Sequence, residues 1–178
     1  TQVVELLNWT NEQRGPVDIL VFSAGINTPR RAFADVVPEE FDQLLDVNTR
    51  GAFNCMHAVL PAMRERRSGL IINIVSVAGI RAQMLSGVPY CASKFAQSAI
   101  GTCANLEALP DGVRVTNIYP GDTDTPLLDQ RPVPPSAERR AQMLQPEDVA
   151  SMVVAIAKLP PRAVVPELVI TPWYAPFS

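Results

Sequence analysis

Histidine is nearly absent: His57 is the only one in 178 residues. With no second histidine, a histidine-based zinc site or a serine triad is disfavoured. Cysteine is scarce and odd in number. Cys55, Cys91 and Cys103 lack metal-ligand spacing, and each lies in a helix-like stretch of apolar or small residues. They are expected to be small buried hydrophobes in a reducing compartment, which places the protein in the cytoplasm. Long apolar runs are missing too. The longest, Leu70 to Val75, is interrupted by Asn73 and has the length of a strand, not of a membrane span. Neither sign of charge is in large excess. A net charge of −3 gives no electrostatic reason to expect nucleic acid or an anionic membrane as partner. There is no secretory signal pattern, no internal repeat, and no low-complexity tract beyond PVPP. Asp122 and Asp124, two carboxylates in one turn, read as solvated, so no metal is expected.

What is present is the composition of a soluble globular protein, 47% hydrophobic and 19% charged. The length suits one domain, residues 1–178, with a real core. Residues 1–14 carry apolar side chains at helical spacing and stop at Gly15-Pro16. Val17–Phe22 reads as a buried parallel strand ending in Ser23-Ala24-Gly25. After a loop over 26–37, Pro38 opens one long helix to Arg67. Its acids stand at the start and Arg64, Arg66 and Arg67 at a solvated end. The apolar face runs Phe41, Leu45, Ala52, Met56, Val59 and Met63, and the polar Asn48 falls on it. A second strand, Leu70–Ser76, and a loop over 77–88 precede a helix near Pro89–Leu109. A third strand spans 112–121 and ends in Pro120-Gly121. Residues 122–145, rich in proline and charge, read as irregular. A capped helix over 145–160 and a fourth strand, 167–172, close the chain. Strands alternating with helices imply an open parallel sheet with helices on both faces. In such sheets ligands bind beyond the carboxyl ends of the strands. Small and hydroxylated residues gather at those ends.

YCASK, residues 90–94, places a phenol and an ammonium one helical turn apart. A free phenol titrates near pH ~10, too high for proton transfer at neutrality. A nearby ammonium is expected to bring it down. Ser76, at a strand end, is available to donate to a substrate oxygen. Taken alone, such a pair is more often a helix-surface contact. The serine, the small-residue turns and Asn48 in an apolar seam change that balance.

These segments together, from VDILVFSAGIN through DVNTRGAF, GLIINIVSVAG, YCASKFA and VTNIYPGDTDT to the QPEDVA helix, resemble the short-chain dehydrogenases/reductases of the compact single-domain branch. The resemblance implies an α/β fold: a Rossmann-like doubly wound parallel sheet, N-terminally truncated, with residues 122–145 as a substrate-loop region. It implies oxidoreduction between a carbonyl and a secondary alcohol with NAD or NADP. Tyr90 would be the general acid/base. Lys94 would lower the phenol pKa and hold the nicotinamide ribose, and Ser76 would polarise the substrate oxygen. Asn48 would keep a water in a proton relay with Lys94, which would account for its buried amide. Ala24, Gly25, Tyr90, Lys94, Pro120, Gly121, Thr123 and Thr125 would contact the cofactor. Ile80, Met84, Leu85, Leu127 and Leu128 would flank an apolar substrate body. Helices matching Asp46–Arg67 and Pro89–Leu109 would form a homodimer interface, often within a homotetramer. The small side chains Ala96, Ser98 and Ala99 would serve that contact, and Met56 and His57 would pack in the core or at that interface.

Departures accompany the resemblance. Phe22-Ser23 stands where the family has two asparagines, which puts the tie between central strands in doubt. The loop from Ser76 to Tyr90 is one residue longer than the commonest spacing. The family's Gly-rich pyrophosphate turn does not occur. The chain opens at Thr1, in what reads as the end of a helix. It is therefore expected to be the C-terminal, catalytic portion of a longer protein, weakly stable by itself, with exposed strand edges. The alternative is a non-catalytic or inactive fragment of the same fold. An epimerase or dehydratase would need a longer substrate domain than residues 122–144 supply.

Overall fold

The computed structural model describes residues 2–175. In chain order the elements are α1 (Gln2–Arg14), β1 (Ile19–Phe22), α2 (Pro38–Leu44), α3 (Gly51–Glu65), β2 (Gly69–Ile74), α4 (Val88–Ala108), β3 (Val113–Pro120), α5 (Ala137–Arg140), α6 (Pro146–Ala157) and β4 (Glu167–Ile170). The four strands are parallel and pair in chain order, with Ile19 beside Leu70, Ile71 beside Val115 and Ile118 beside Leu168. Alternate residues of a strand face opposite sides, and each side has its own helices. Ile71, Val113 and Val115 pack on Ala52, Met56, Val59 and Met63 of α3 and on Ala104 and Ala108 of α4. Leu70, Ile72 and Ile118 pack on Ile156 of α6. The expected doubly wound sheet is present, and the central strands β2 and β3 are the most buried. No helix of the described residues is long and apolar enough to cross a membrane.

The single long helix expected over residues 38–67 is instead α2, a π-helical segment Leu45–Arg50 and α3, joined end to end. The wider turn changes which side chains face inward. Leu44, Asn48, Ala52 and Met56 are buried, each four residues after the last. Leu45, expected on the apolar face, is only half-buried. Such π turns often mark functional positions, and this one carries Asn48.

Several surface expectations also change. In α1 no residue is buried, and Val4, Leu6 and Trp9 are exposed, so its amphipathic face is only partly covered. Arg64 pairs with Asp111 at 2.6 Å, Arg66 donates to the Val17 carbonyl, and Arg67 donates to the Pro110 carbonyl at 3.0 Å. This helix end is therefore latched to neighbouring segments and is not simply solvated. Cys91 is buried, but Cys55 is half-buried and Cys103 is exposed. Met56 is a core residue, whereas His57 is exposed and stacks on Phe53 with ring centroids 5.4 Å apart. Ser98, expected on an interface face, points at the sheet and shares a 2.7 Å hydrogen bond with the Tyr119 hydroxyl. Among the described residues β1 pairs with β2 alone, and its Ile19 and Val21 are exposed, so one sheet edge is open.

Residues 122–145 are more ordered than their composition suggests. Asp122 pairs with Arg131 at 2.7 Å, and Arg140 bridges Asp124 and Asp129. Asp122 and Asp124 are thus ion-paired, not free in solvent. The segment buries Leu128 and Met143 and meets itself through a Thr123–Leu144 bridge. Charge pairing holds together a segment that has little apolar content. The Gln145–Asp148 capping box then starts α6, with the Gln145 amide donating to Asp148 at 2.8 Å.

Candidate active site

The carboxyl ends of β1, β2 and β3 open onto one cavity of about 930 Å³. Gly25, Ser76, Tyr90, Lys94, Pro120, Gly121, Thr123 and Thr125 all line it. They come from four separate stretches of chain, brought together because parallel strands end on the same side. Two expected residues stand apart. Asn48 is fully buried behind the cavity, and Ala24 is exposed but does not line it.

Tyr90 stands near the start of α4. Burial raises its phenol pKa, while a hydrogen bond with Ser76 and the charge of Arg31 act the other way. Ser76 is also the cap of the short 3-10 turn Val77–Gly79, its Oγ accepting from the Ala78 amide at 3.1 Å. That bond fixes the serine where β2 ends. Lys94, one turn on, is 3% exposed. Its Nζ donates to Gln97 Oε1 at 2.7 Å and approaches the Ile74 carbonyl at 3.4 Å. It also lies 5.6 Å from the Tyr90 ring centroid. Desolvation lowers the Lys94 pKa from 10.5 to about 7. A spacing of four residues suggests an ammonium that pulls the phenol down. Here burial dominates both groups, and Ser76 and Arg31 are what offset it at the phenol.

Gln97 was not singled out in the sequence, yet it orients Lys94. Its Nε2 donates to Asn73 Oδ1 at 2.7 Å and to the Ile74 carbonyl at 3.1 Å. Asn73 Nδ2 in turn donates to Asn117 Oδ1 at 2.8 Å. This buried amide chain ties β2 to β3. Phe22 packs in the core and against Gly51, where a Cβ would lie 3.3 Å from its ring. The signal available in the sequence was the polar Asn73 inside LIINIV and Asn117 inside VRVTNIY. Asn73 interrupts an otherwise apolar strand, and Asn117 follows Thr116 in the middle of the next one.

The Asn48 side chain bonds the Ile26 backbone and the Ser93 hydroxyl. Oδ1 accepts from the Ile26 amide at 2.8 Å, and Nδ2 donates to the Ile26 carbonyl at 3.0 Å and to Ser93 Oγ at 2.9 Å. These bonds give the buried amide its partners. They brace the loop after β1 so that Gly25 lies beside Lys94: a Cβ there would be 3.4 Å from Nζ and 3.6 Å from Asn48 Oδ1. Glycine thus keeps open the space over the ammonium. Gly121 is set by its amide, which donates to the Ile170 carbonyl at 2.8 Å. Of the expected substrate-flanking residues, Leu85, Leu127 and Leu128 line the cavity. Ile80 packs in a small cluster with Val75, Val77 and Tyr119, and Met84 is exposed. Arg31, also not singled out, lines the cavity while nearly buried.

The chain is similar to known proteins over most of its length. The family model described as short chain dehydrogenase matches residues 1–133. A sepiapterin reductase of Chlorobaculum tepidum is 35% identical over 161 residues, which is 90% of this chain and 64% of that protein. Among solved structures, a serine dehydrogenase complexed with NADP+ superposes with a TM-score of 0.88 at 29% identity, over 99% of this chain and 73% of that one. An alcohol dehydrogenase from the archaeon Thermococcus sibiricus, complexed with 5-hydroxy-NADP, gives 0.85 at 27% identity, over 99% and 72%. The chain therefore spans somewhat under two thirds of the sepiapterin reductase and somewhat more of the two solved chains. With a model match over most of its length and folds superposing over nearly all of it, the chain belongs to the short-chain dehydrogenase/reductase family.

Proposed function

We propose that this chain carries the catalytic centre of an NAD(P)-dependent oxidoreductase that interconverts a carbonyl and a secondary alcohol. The observation that carries the reading is the convergence of Ser76, Tyr90 and a buried, carboxylate-free Lys94 on one cavity at the strand ends. In reduction, the Tyr90 hydroxyl gives its proton to the substrate oxygen. In oxidation, it takes the proton of the alcohol. Ser76 Oγ donates to the same oxygen and holds it against the phenol, where developing charge is stabilised. Lys94 stands behind Tyr90 as a proton source, with a pKa of about 7 that lets it exchange protons at neutrality. Gln97 keeps its Nζ in place.

Hydride is supplied by a nicotinamide dinucleotide when one is bound. The residues present fit such a group: Gly25 leaves the space beside Lys94 Nζ unfilled. Lys94, Gly25, Pro120, Gly121, Thr123 and Thr125 would hold the nicotinamide half, as NAD or as NADP. Phe53, Phe95 and Leu106 are exposed on α3 and α4, which supports a homodimer or homotetramer, and we assign the protein to the cytoplasm. Neither of these two assignments affects the chemistry.

The test is Tyr90→Phe, with dinucleotide oxidation followed by absorbance against a panel of ketones and aldehydes. Loss of the proton donor is expected to lower kcat by about 10²- to 10⁴-fold, with the melting temperature little changed. A variant that keeps more than about a tenth of wild-type kcat, against the loss that general acid catalysis supplies, would overturn the assignment.

A further inference from the structure

The cavity wall holds a buried cation whose only part in this chemistry is the effect of its charge on the Tyr90 phenol. Arg31 is 8% exposed. Its guanidinium makes three hydrogen bonds, all to backbone carbonyls: Nε to Thr28 at 3.0 Å, Nη1 to Leu85 at 2.6 Å and Nη2 to Gln130 at 3.3 Å. A guanidinium has five N–H donors and no acceptor. Three are spent, and one N–H remains on each terminal nitrogen. Among the described residues no carboxylate lies within ion-pair distance of Arg31. A buried charge without a counter-charge is costly, and a second cation adds to the cost. Burial, and after it the charge of Arg131, hold the Arg31 pKa down, while Tyr90 acts the other way. The cavity lining brings Arg31, Lys94 and Arg131 together with the single carboxylate of Asp122, which Arg131 already binds at 2.7 Å. This basic lining stands out in a chain whose net charge is −3.

The side chain is also held in place. Gly87 has φ +83, and a Cβ there would meet Arg31 Cβ at 2.6 Å, so the 83–88 loop lies directly on the arginine. The Val88 amide donates to the Arg31 carbonyl at 3.1 Å. Arg31 is thereby fixed between the loop after β1, the loop before α4 and the 122–145 segment. The last two supply Leu85, Leu127 and Leu128 to the cavity wall.

We propose that Arg31 receives a carboxylate of the substrate, so that the reaction interconverts an oxo acid and its hydroxy acid in preference to a neutral ketone and alcohol. One remaining N–H on each terminal nitrogen matches the two oxygens of a carboxylate, which accepts such paired donors bidentately. The incoming anion supplies the counter-charge that the cavity wall lacks. The inference rests on the carbonyl–alcohol reading above and narrows its substrate class.

Binding calorimetry tests it without turnover. A series of 2-, 3- and 4-oxo acids and their methyl esters is titrated into the protein, with NAD or NADP present. At least one acid is expected to bind about 10- to 100-fold tighter than its ester, the range for hydrogen bonds to charged groups. Arg31→Gln is expected to abolish that preference while leaving ester and dinucleotide affinities within about threefold. Arg31→Lys, which keeps charge but loses the planar fork, should lower the preference several-fold. No acid preference anywhere in the wild-type series, or a preference that survives Arg31→Gln, overturns the proposal. So does a Gln variant whose dinucleotide affinity collapses while the acid/ester ratio holds. Should Arg31→Gln fail to fold, an undiminished preference in Arg31→Lys is the overturning result. Normal kcat in Tyr90→Phe would instead sink the oxidoreductase reading and leave the binding preference standing.

Discussion

Lys94 should make the protein more stable as pH rises from neutrality into mild alkali. Its side chain is 3% exposed and is held by Gln97 Oε1 and the Ile74 carbonyl, with no carboxylate among its partners. Desolvation moves its pKa from 10.5 to about 7. Between those values the unfolded chain keeps a proton that the folded chain has released, so unfolding takes up protons and stability increases with pH. Below about 7 both states are protonated, and the folded state bears the full penalty of a buried ammonium. The whole displacement corresponds to about 5 kcal/mol, of which about half is recovered between pH 6 and pH 9. The phenol of Tyr90 is pushed upward, so it costs stability only above its ordinary range near 10. The Cys55 thiol is pushed up as well and opposes the effect only at the top of the window. Urea denaturation followed by circular dichroism at pH 6, 7, 8 and 9 measures the slope. Lys94→Met, similar in length and without a titrating group, removes the contribution. The wild type should gain roughly 2 to 3 kcal/mol relative to this variant across the range. Parallel stability curves for the two proteins, or a wild-type loss toward pH 9, would refute the reasoning.

Other substitutions probe the scaffold behind the site. Gly101→Ala would place a Cβ 2.0 Å from Asn117 Oδ1 and 2.9 Å from Asn73 Nδ2. Forcing the amide chain apart should cost about 3 kcal/mol, read as a lowered denaturation midpoint. Asn48→Ala strips the Ile26 amide and carbonyl of their partners and should cost about 2 kcal/mol or more. Activity should fall with it, because Gly25 loses its place beside Lys94; unchanged kinetics would argue against the brace. Ser76→Ala removes the acceptor for the Ala78 amide and the donor to the substrate oxygen. A kcat lower by about 10²-fold, with KM little altered, is expected from steady-state kinetics.

Strand-length apolar runs bounded by glycine or proline, and helical spacing between them, were enough to place every strand and the principal helices to within a few residues. YCASK was legible for the same reason, because residues four apart share a helix face whatever surrounds them. The π segment at Leu45–Arg50 was not legible. It inserts a wider turn without any breaker residue, and only the need to bury both Asn48 and Met56 reveals it. The ion pairs of residues 122–145 were likewise hidden, since Asp122 and Arg131, or Asp124 and Arg140, look like separate solvated charges until the segment folds back on itself.

The sequence by itself determined the alternation of strand and helix, the small residues at the strand ends, and a phenol one turn from an amine. These are local properties, set by backbone preference and by spacings of a few residues. Only the tertiary structure decided the electrostatics. Burial set the Lys94 pKa near 7 and raised that of Tyr90, overriding the pairing that their spacing suggests. Gln97 reached Lys94 through an amide chain spanning two strands. Arg31 found its three carbonyls in loops 3, 54 and 99 residues away along the chain. Desolvation depends on everything packed around a group, and partners that distant in sequence leave no periodic trace.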